Sequence, residues 1–332
     1  MLNLKRFLKN LLPFNGFSAE DKEKAEALSK IRREPVEEIY RKFGNKINNA
    51  PLKFNRHTSK LFGYDFTEAG IKDGMAYIKL SNGRTFYGYR SHKKLRKEYE
   101  FLKDRVSPVL NADTYLTALD VSSRYPRYPK ELLPGKGGVI VEAGAYLGHK
   151  TIRFIDDVVG TMGKVLAIEM MPDNYRMLRR NIQANDLGSC INVINCGVWS
   201  SSGETEVMGK GRQRNSIASI DKLSNSNMRI TVRTDSLDNI LHSWGEKVID
   251  FLALTLNGAE VEALHGLEKE INRIKVIYVA ARYTRKGQGT YQPCIEILKK
   301  RGCVILPQSG DSNIYAATKN FAKEYVSCNS SN

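Results

Sequence analysis

Residues 137–173 read GGVIVEAGAYLGHKTIRFIDDVVGTMGKVLAIEMMPD and decide the fold class. One apolar run, Val139–Val141, ends in the acid Glu142, and a second, Val165–Ile168, ends in the acid Glu169. A glycine turn and a segment with helical spacing of apolar residues lie between them. Strands joined through a helix run parallel, so the stretch predicts a strand, helix, strand crossover unit, and such units bind nucleotide-type ligands at the carboxyl ends of their strands.

The turn between the first strand and the helix narrows the choice of ligand. It spans residues 144–148 and lacks the middle glycine with which a dinucleotide fingerprint approaches a pyrophosphate. Two acidic strand ends instead suit a ligand with an ammonium group and a ribose diol, because carboxylates accept hydrogen bonds from both. S-adenosylmethionine has both groups. The alternative is an ordinary turn, in which Gly144 only relieves crowding and Glu169 is a solvated strand end.

Composition indicates a globular protein of 332 residues, 41% of them hydrophobic, with no apolar run near the roughly 18 residues of a membrane-spanning helix. The first 14 residues are too interrupted by charge for a secretory signal. Five cysteines without a CxxC pair indicate neither a disulfide framework nor a zinc site, and the simplest compartment is a reducing cytoplasm. The net charge is +16, and residues 1–105 carry most of it, so an anionic partner is expected for the N-terminal extension.

The N-terminal third contains two predicted elements. Leucines and Phe7 at helical spacing, with cations between them, predict a short basic amphipathic helix that ends at Pro13. This helix could lie on an anionic membrane at the inner face, or dock on its own protein or a partner subunit. Alternating residues around Asn82-Gly83 predict a β-hairpin over residues 75–90. The cations and tyrosines near residue 90 could contact nucleic acid, but a solvated face is the more common role, so nucleic acid is not expected.

The end of the sequence distinguishes between two kinds of α/β sheet. Two short predicted strands, Cys303–Leu306 and Asn313–Thr318, are separated by six turn residues. Parallel neighbours need a crossover of about a dozen residues or more, so these strands must run antiparallel. A mostly parallel sheet with a terminal reversed hairpin is the arrangement of class I methyltransferases and differs from that of dinucleotide dehydrogenases. The polar segment 200–234 is predicted to be an insertion carrying a lid or substrate loop.

Five stretches resemble the FkbM-like family of S-adenosylmethionine-dependent methyltransferases, which mostly methylate hydroxyls of sugars and natural products. They are VEAGAYLGHKT, VLAIEMMPDNYRMLRRNIQAN, VINCGVWSSSGETEV, VRTDSLDNIL and IDFLALTLNGAEVEALHGLE. The resemblance covers roughly residues 137–320, and the order and spacing of the five are more specific than any one of them. It implies a Rossmann-like methyltransferase-like domain at 131–322, after a basic helical extension at 1–60 and a hairpin and linker region at 61–130, and before a tail at 323–332.

The resemblance also implies the cofactor-binding residues. Glu142 would stand near the methionine ammonium, Glu169 would accept from the ribose hydroxyls, and Met170 would pack on the adenine. The remaining members form the turn beneath the cofactor and the edge of the adenine pocket: Gly144, Ala145, Tyr146, Gly148, Asn195, Cys196 and Gly197. Such a pocket would hold the sulfonium methyl in line with a nucleophile.

The sequence departs from the family pattern on the acceptor side. Where the family usually has lysine, aspartate and glutamate at the end of the fourth strand, this chain has Ala253, Thr255 and Asn257, and Ala280 or Ala281 stands where the family usually has an acid at the end of the fifth strand. Thr255 and Asn257 can hydrogen-bond but cannot take a proton at neutral pH. His149 or Tyr283 could replace the base, although His149 could equally cap its helix and Tyr283 could be a surface aromatic. No histidine has metal-ligand spacing.

Two functions remain open. The first is an S-adenosylmethionine-dependent O-methyltransferase acting on a small-molecule or glycan hydroxyl of a saccharide, glycolipid or related metabolite. The second is a catalytically inactive methyltransferase-fold protein that serves as a structural or interaction subunit, which the neutral residues at 253, 255, 257 and 280 favour. The chain has no Asn/Asp-Pro-Pro-aromatic tetrad, so methylation of an exocyclic nucleobase amine is not expected.

Overall fold

The computed structural model describes residues 60–61, 64–103, 107–123, 128–209, 215–217, 228–285, 287–310 and 312–323. Contacts along the chain divide it into two compact units, Met1–Tyr125 and Pro126–Asn332. The predicted basic helix before Pro13 lies outside the described residues, as does the tail from residue 324 onwards. No helix in the described ranges has the length and apolar character needed to cross a bilayer.

Within its described residues, the first unit contains an antiparallel sheet and two helices. Its strands are β1 Lys60–Leu61, β2 Tyr64–Lys72, β3 Met75–Leu80 and β4 Thr85–Gly88, and its helices are α1 Lys93–Leu102 and α2 Tyr115–Ser123. The predicted hairpin is confirmed, because β3 and β4 pair antiparallel with Ile78 opposite Phe86, and Gly83 in the turn has a φ of +85°. Both of these apolar side chains are fully buried, which fixes the register of the hairpin.

A seven-stranded sheet forms the centre of the second unit, in the order β16, β17, β13, β12, β5, β6, β7. These strands are β5 Val139–Ala143, β6 Lys164–Glu169, β7 Ile191–Asn195, β12 Ile249–Leu254, β13 Ile274–Val279, β16 Val304–Ile305 and β17 Ile314–Ala317. The five strands from β13 to β7 are parallel, whereas β16 and β17 pair antiparallel with each other and β17 pairs antiparallel with β13. The sheet is therefore the mostly parallel, Rossmann-like arrangement with a terminal reversed hairpin that the sequence predicted.

Helices cover both faces of this sheet. They are α3 His149–Arg153, which continues as a π-helix over Phe154–Val159, α4 Pro172–Gln183, α5 Leu237–Trp244, α6 Glu260–His265 and α7 Tyr291–Lys300. One face packs against α5, α6 and α7 through a continuous aliphatic core. On the other face Tyr128 contacts Phe154, Phe251 and Tyr278, with ring centroids 5.9, 4.9 and 4.8 Å away.

The polar segment after residue 200 contributes most of a second sheet. Its strands are β8 Gly197–Trp199, β9 Gly203–Gly209, β10 Asn215–Ile217 and β11 Met228–Ser236, in the order β10, β9, β11, β8. β9 and β11 pair antiparallel over seven residue pairs. Val207 and Val232 are buried there beside Met171, so the sheet packs against the region that follows β6. A further short hairpin is formed by β14 Thr284–Arg285 and β15 Gln288–Gly289.

Candidate active site

The glycine turn at the carboxyl end of β5 is fixed to the neighbouring strand β6. The backbone N–H groups of Gly144 and Ala145 both donate to the carbonyl of Ile168, over 2.9 and 3.0 Å. The next N–H, that of Tyr146, donates to Oε2 of Glu169 over 2.8 Å. Tyr146 has a φ of +56°, a conformation that a non-glycine residue rarely adopts, and the Glu169 contact holds it there.

Glu169, at the carboxyl end of β6, connects the turn to the start of α4. Its Oε1 accepts from the Met171 N–H over 2.9 Å and from Asn174 Nδ2 over 3.2 Å, and the residue is only 6% exposed. Asn195 Nδ2 donates to the backbone carbonyls of Glu169 and Met170, over 2.8 and 3.0 Å. The carboxylate is therefore held in one orientation at the strand end, where a Rossmann-like sheet binds its ligand.

Glu142 has different surroundings. It is fully buried, and its Oε2 accepts from Thr151 Oγ1 over 2.6 Å. The ammonium of Lys150 lies 3.0 Å from Oε1 and also donates to the hydroxyl of Tyr128 over 3.1 Å. Sequence reasoning missed Lys150, although its position eight residues after the acid, in the first turn of the helix, brings it back over the strand end. A cation of the protein thus already compensates this carboxylate, and its predicted contact with a ligand ammonium stays a prediction.

Gly144 is required by packing. Its φ is +87°, and a Cβ built on it would lie 2.3 Å from the backbone oxygen of Thr255 at the end of β12. Gly148, at the start of α3, has a φ of +79°, and a Cβ there would meet the end of the Leu178 side chain at 2.4 Å. Relief of crowding therefore accounts for Gly144 without any ligand, as the alternative interpretation of the turn proposed.

The predicted acceptor-side residues lie after β12 and β13. The Thr255 hydroxyl is directed at the carbonyls of Ala143 and Gly144, over 3.1 and 3.3 Å. The Tyr283 hydroxyl donates to Asn257 Oδ1 over 2.5 Å, so these two candidates form one hydrogen-bonded pair. Tyr283 is therefore more than an isolated surface aromatic. His149 lies in the first turn of α3 and is 1% exposed.

Arg282, the residue before Tyr283 in sequence, has a guanidinium held by two neutral groups. Its Nε donates to Asn313 Oδ1 over 3.1 Å, and its Nη2 donates to the Tyr278 hydroxyl over 3.0 Å. Among the described residues no carboxylate pairs with Arg282, whereas Arg285 makes two 2.7 Å contacts with Glu262. Neutral acceptors thus orient the Arg282 guanidinium without cancelling its charge, and sequence reasoning missed both of them.

The region assigned to the adenine lies between β6 and the second sheet. Met170 packs beside Met171, Val207 and Val232, and a Cβ at Gly197 would lie 3.6 Å from the Met170 Cβ. Cys196 is buried, and burial raises the pKa of its thiol to about 11. The structure thus brings together three predicted members, Met170, Asn195 and Gly197. Within the described ranges, no three His, Cys, Asp or Glu side chains form a group that could hold a metal ion.

A seven-stranded sheet of this order, with a glycine turn held by the acid of the neighbouring strand, defines the class I methyltransferase fold. Residues 142–305 match the family model described as the methyltransferase FkbM domain. This segment therefore belongs to the FkbM methyltransferase family, as the resemblance implied, and it contains the turn, Glu169, Asn257 and Tyr283.

Other comparisons find more distant likenesses. "Methyltransferase sdnD" of Sordaria araneosa is 25% identical over 164 residues, which cover 40% of this chain and 61% of that protein. The match therefore spans less than two thirds of the relative. The solved methyltransferase FkbM from Methylobacillus flagellatus KT gives a TM-score of 0.38 at 15% identity, with 68% of this chain and 56% of that chain covered. Aeropyrum pernix fibrillarin, solved with bound S-adenosyl-L-methionine, gives 0.36 at 13% identity, with 76% and 99% covered.

Proposed function

We propose that the protein is an S-adenosylmethionine-dependent O-methyltransferase that acts on a hydroxyl of a saccharide, glycolipid or related metabolite. The observation that carries the proposal is the glycine turn held by Glu169 inside the segment that matches the FkbM model. The family match supports methyl transfer. The hydroxyl acceptor follows from the family resemblance and from the polar groups that lie after β12 and β13.

The residues at the carboxyl ends of β5, β6 and β7 suit the proposed cofactor. Glu169 would accept from the ribose hydroxyls, because its carboxylate is held at the strand end by the N–H groups of Tyr146 and Met171. Met170 and Gly197 would border the adenine. Bound there, S-adenosylmethionine would supply an electrophilic sulfonium methyl group. Glu142 would lie near the methionine ammonium of the cofactor, and its ion pair with Lys150 would also hold α3 against the end of β5.

On the acceptor side the chain offers hydrogen bonds and one fixed cation. Asn257, Tyr283 and Thr255 would orient the acceptor hydroxyl. Tyr283 and His149 are the two candidates for removing its proton. Positioning of two reactants alone contributes a large share of many rate enhancements, so neutral groups at these positions are compatible with turnover. The Arg282 guanidinium, which pairs with no carboxylate in the described ranges, would attract an acceptor that carries negative charge.

Calorimetry with S-adenosylmethionine tests the cofactor site. Glu169→Gln should weaken binding roughly tenfold to a hundredfold, since hydrogen bonds to a charged group contribute about 1.5–3 kcal/mol. Asp173→Asn is the matched control, because Asp173 is an exposed acid four residues away whose ion-pair partner is Arg176. Equal binding by both variants and the wild type would show that the diol contact is wrong, and absence of binding to the wild type would remove the cofactor proposal.

The subunit function makes a different prediction. It is favoured by the neutral side chains at Thr255 and Asn257, and by Ala280 and Ala281 after β13. A subunit that only binds the cofactor would retain it without demethylation in cell extract and would co-purify with a partner. Methyl transfer to an extract component that is lost with Glu169→Gln would exclude this function.

The predicted basic N-terminal helix carries a separate proposal, attachment to an anionic membrane surface. Deletion of residues 1–14 should release the protein from anionic vesicles. Unchanged partitioning would show that the helix is not the anchor and would leave docking on protein as its role.

A further inference from the structure

The loop after β12 has an unusual backbone and carries two of the acceptor-side residues. Thr255 begins it, and Asn257 and Gly258 follow with φ values of +54° and +106°. A positive φ carries strain in a non-glycine residue such as Asn257, whereas Gly258 adopts it readily. From this backbone conformation Asn257 accepts the hydrogen bond of the Tyr283 hydroxyl.

Glu260, in the first turn of α6, supplies the holding contacts. Its Oε1 accepts from the Leu256 N–H over 3.1 Å, and its Oε2 accepts from the Gly258 N–H over 3.0 Å. These two amides flank Asn257, and Glu260 is fully buried. The short distance in sequence between the acid and the Asn257-Gly258 turn could have suggested the contact, but sequence reasoning did not consider it.

Three charged or titratable side chains surround this carboxyl. Arg285 favours its ionised form but is itself paired with Glu262, and the Cys294 thiol of α7 is buried nearby. Burial is the largest influence and raises the pKa of Glu260 to about 7, against the lowering effect of the backbone amides and Arg285. The hydrogen-bonding state of the loop therefore changes near neutral pH.

We propose that Glu260 is a positioning residue whose ionised carboxylate clamps the loop carrying Thr255 and Asn257 in the acceptor half of the site. The Glu260 clamp consists of Glu260 and the amides of Leu256 and Gly258. A protonated carboxyl has a donor where one acceptor was, so it cannot hold both amides equally well. The loop therefore loosens as the pH falls through neutrality, and Asn257 loses its fixed direction. The consequence for catalysis rests on the proposed function, whereas the clamp itself does not.

Amide hydrogen exchange tests the clamp directly. Glu260→Gln keeps the shape of the side chain but places an NH₂ group against one amide, so the Leu256 or Gly258 N–H should exchange at least tenfold faster. Glu268→Gln, a change of an exposed acid that follows the same helix, is the control and should leave both amides unchanged. Unaltered exchange of both amides in Glu260→Gln would overturn the proposal.

The wild-type protein provides a second measurement should Glu260→Gln fail to fold. Protection of Leu256 and Gly258, corrected for intrinsic chemistry, should fall about tenfold between pH 8 and pH 6. The Ala263 amide, which donates to the Ala259 carbonyl over 2.9 Å at the start of α6, is the internal reference. Its protection should stay constant between pH 8 and pH 6. Equal behaviour of all three amides would refute the clamp.

Cofactor binding separates this inference from the proposed function. Glu260→Gln should retain S-adenosylmethionine affinity within about twofold while methyl transfer falls, because its contacts are on the acceptor-side loop. A matching loss of affinity would place Glu260 at the cofactor instead and overturn its positioning role. Wild-type protein that shows the exchange pattern but binds no cofactor would refute the proposed function and leave the clamp standing.

Discussion

Replacing Gly144 with alanine tests the packing of the turn against the end of β12. The new Cβ would lie 2.3 Å from the Thr255 oxygen and 3.1 Å from its carbonyl carbon. Both atoms are backbone at the end of β12, so neither can move without displacing the strand. The residue would also adopt a φ of +87°, which costs an L-amino acid about 1–2 kcal/mol.

Two other glycines separate the conformational cost from the overlap. Gly137 has a φ of +81° with no atom within 4 Å of its Cβ position, so Gly137→Ala should cost only about 1–2 kcal/mol. Gly148 has a φ of +79°, and its Cβ would meet only the movable end of Leu178, which adds about 1–3 kcal/mol. Gly144→Ala should exceed both and reach about 4 kcal/mol or more, a value typical of an unrelieved clash.

Urea unfolding followed by tryptophan fluorescence measures this series, because Trp199 and Trp244 both lie in the second unit. The midpoint should fall in the order Gly137→Ala, Gly148→Ala, Gly144→Ala, with the slope unchanged. A Gly144→Ala protein as stable as Gly137→Ala would refute the packing of the turn against β12.

Three further predictions concern buried ionisable groups. Lys150→Met should lower the free energy of unfolding, measured by urea titration, by about 3–5 kcal/mol, because it leaves Glu142 as a buried charge without its cation. Adding Glu142→Gln to this variant should restore most of the lost stability. The free energy of unfolding of the wild type, relative to that of Glu260→Gln, should be highest below pH 4.5 and should fall by up to about 3 kcal/mol as the pH rises through about 7. The reason is that the Glu260 carboxyl binds its proton more tightly in the folded state than in the unfolded state. Parallel stability curves for the two proteins would contradict this. Burial raises the pKa of the Cys196 and Cys303 thiols to about 11. Iodoacetamide at pH 8, followed by mass spectrometry, should therefore label both thiols far more slowly in the folded protein than in the unfolded protein. Equal labelling rates would show that the two thiols are accessible in the folded protein.

The sequence predicted the central sheet well because its signals are local. Glu142 and Glu169 each end an apolar run, and the two observed strands, Val139–Ala143 and Lys164–Glu169, match those runs closely. The reversed terminal hairpin followed from the number of turn residues alone. Strand β2, Tyr64–Lys72, was not identified, because its charged and small residues lack a clear alternation of apolar and polar positions.

The contacts within the site were harder to predict, because they depend on how distant segments meet. Lys150 reaches Glu142 only once the helix has folded back over the strand, and Gly144 meets Thr255 across 111 residues of sequence. The resemblance to the FkbM-like family implied a ligand contact for Glu142, and the structure shows that Glu142 also forms an ion pair with Lys150. Patterns in the sequence located the strand ends that carry the predicted site residues, but three-dimensional packing determines which of their polar groups face one another.

The crowding at Gly144 affects how sequence fingerprints should be used. Any related protein that kept this close approach of Gly144 to the Thr255 carbonyl would need a glycine there, whether or not it had a catalytic activity. Gly144 thus records the architecture of the fold. A sequence survey that aims to separate active enzymes from inactive relatives should instead score side chains that backbone packing does not require, beginning with Tyr283.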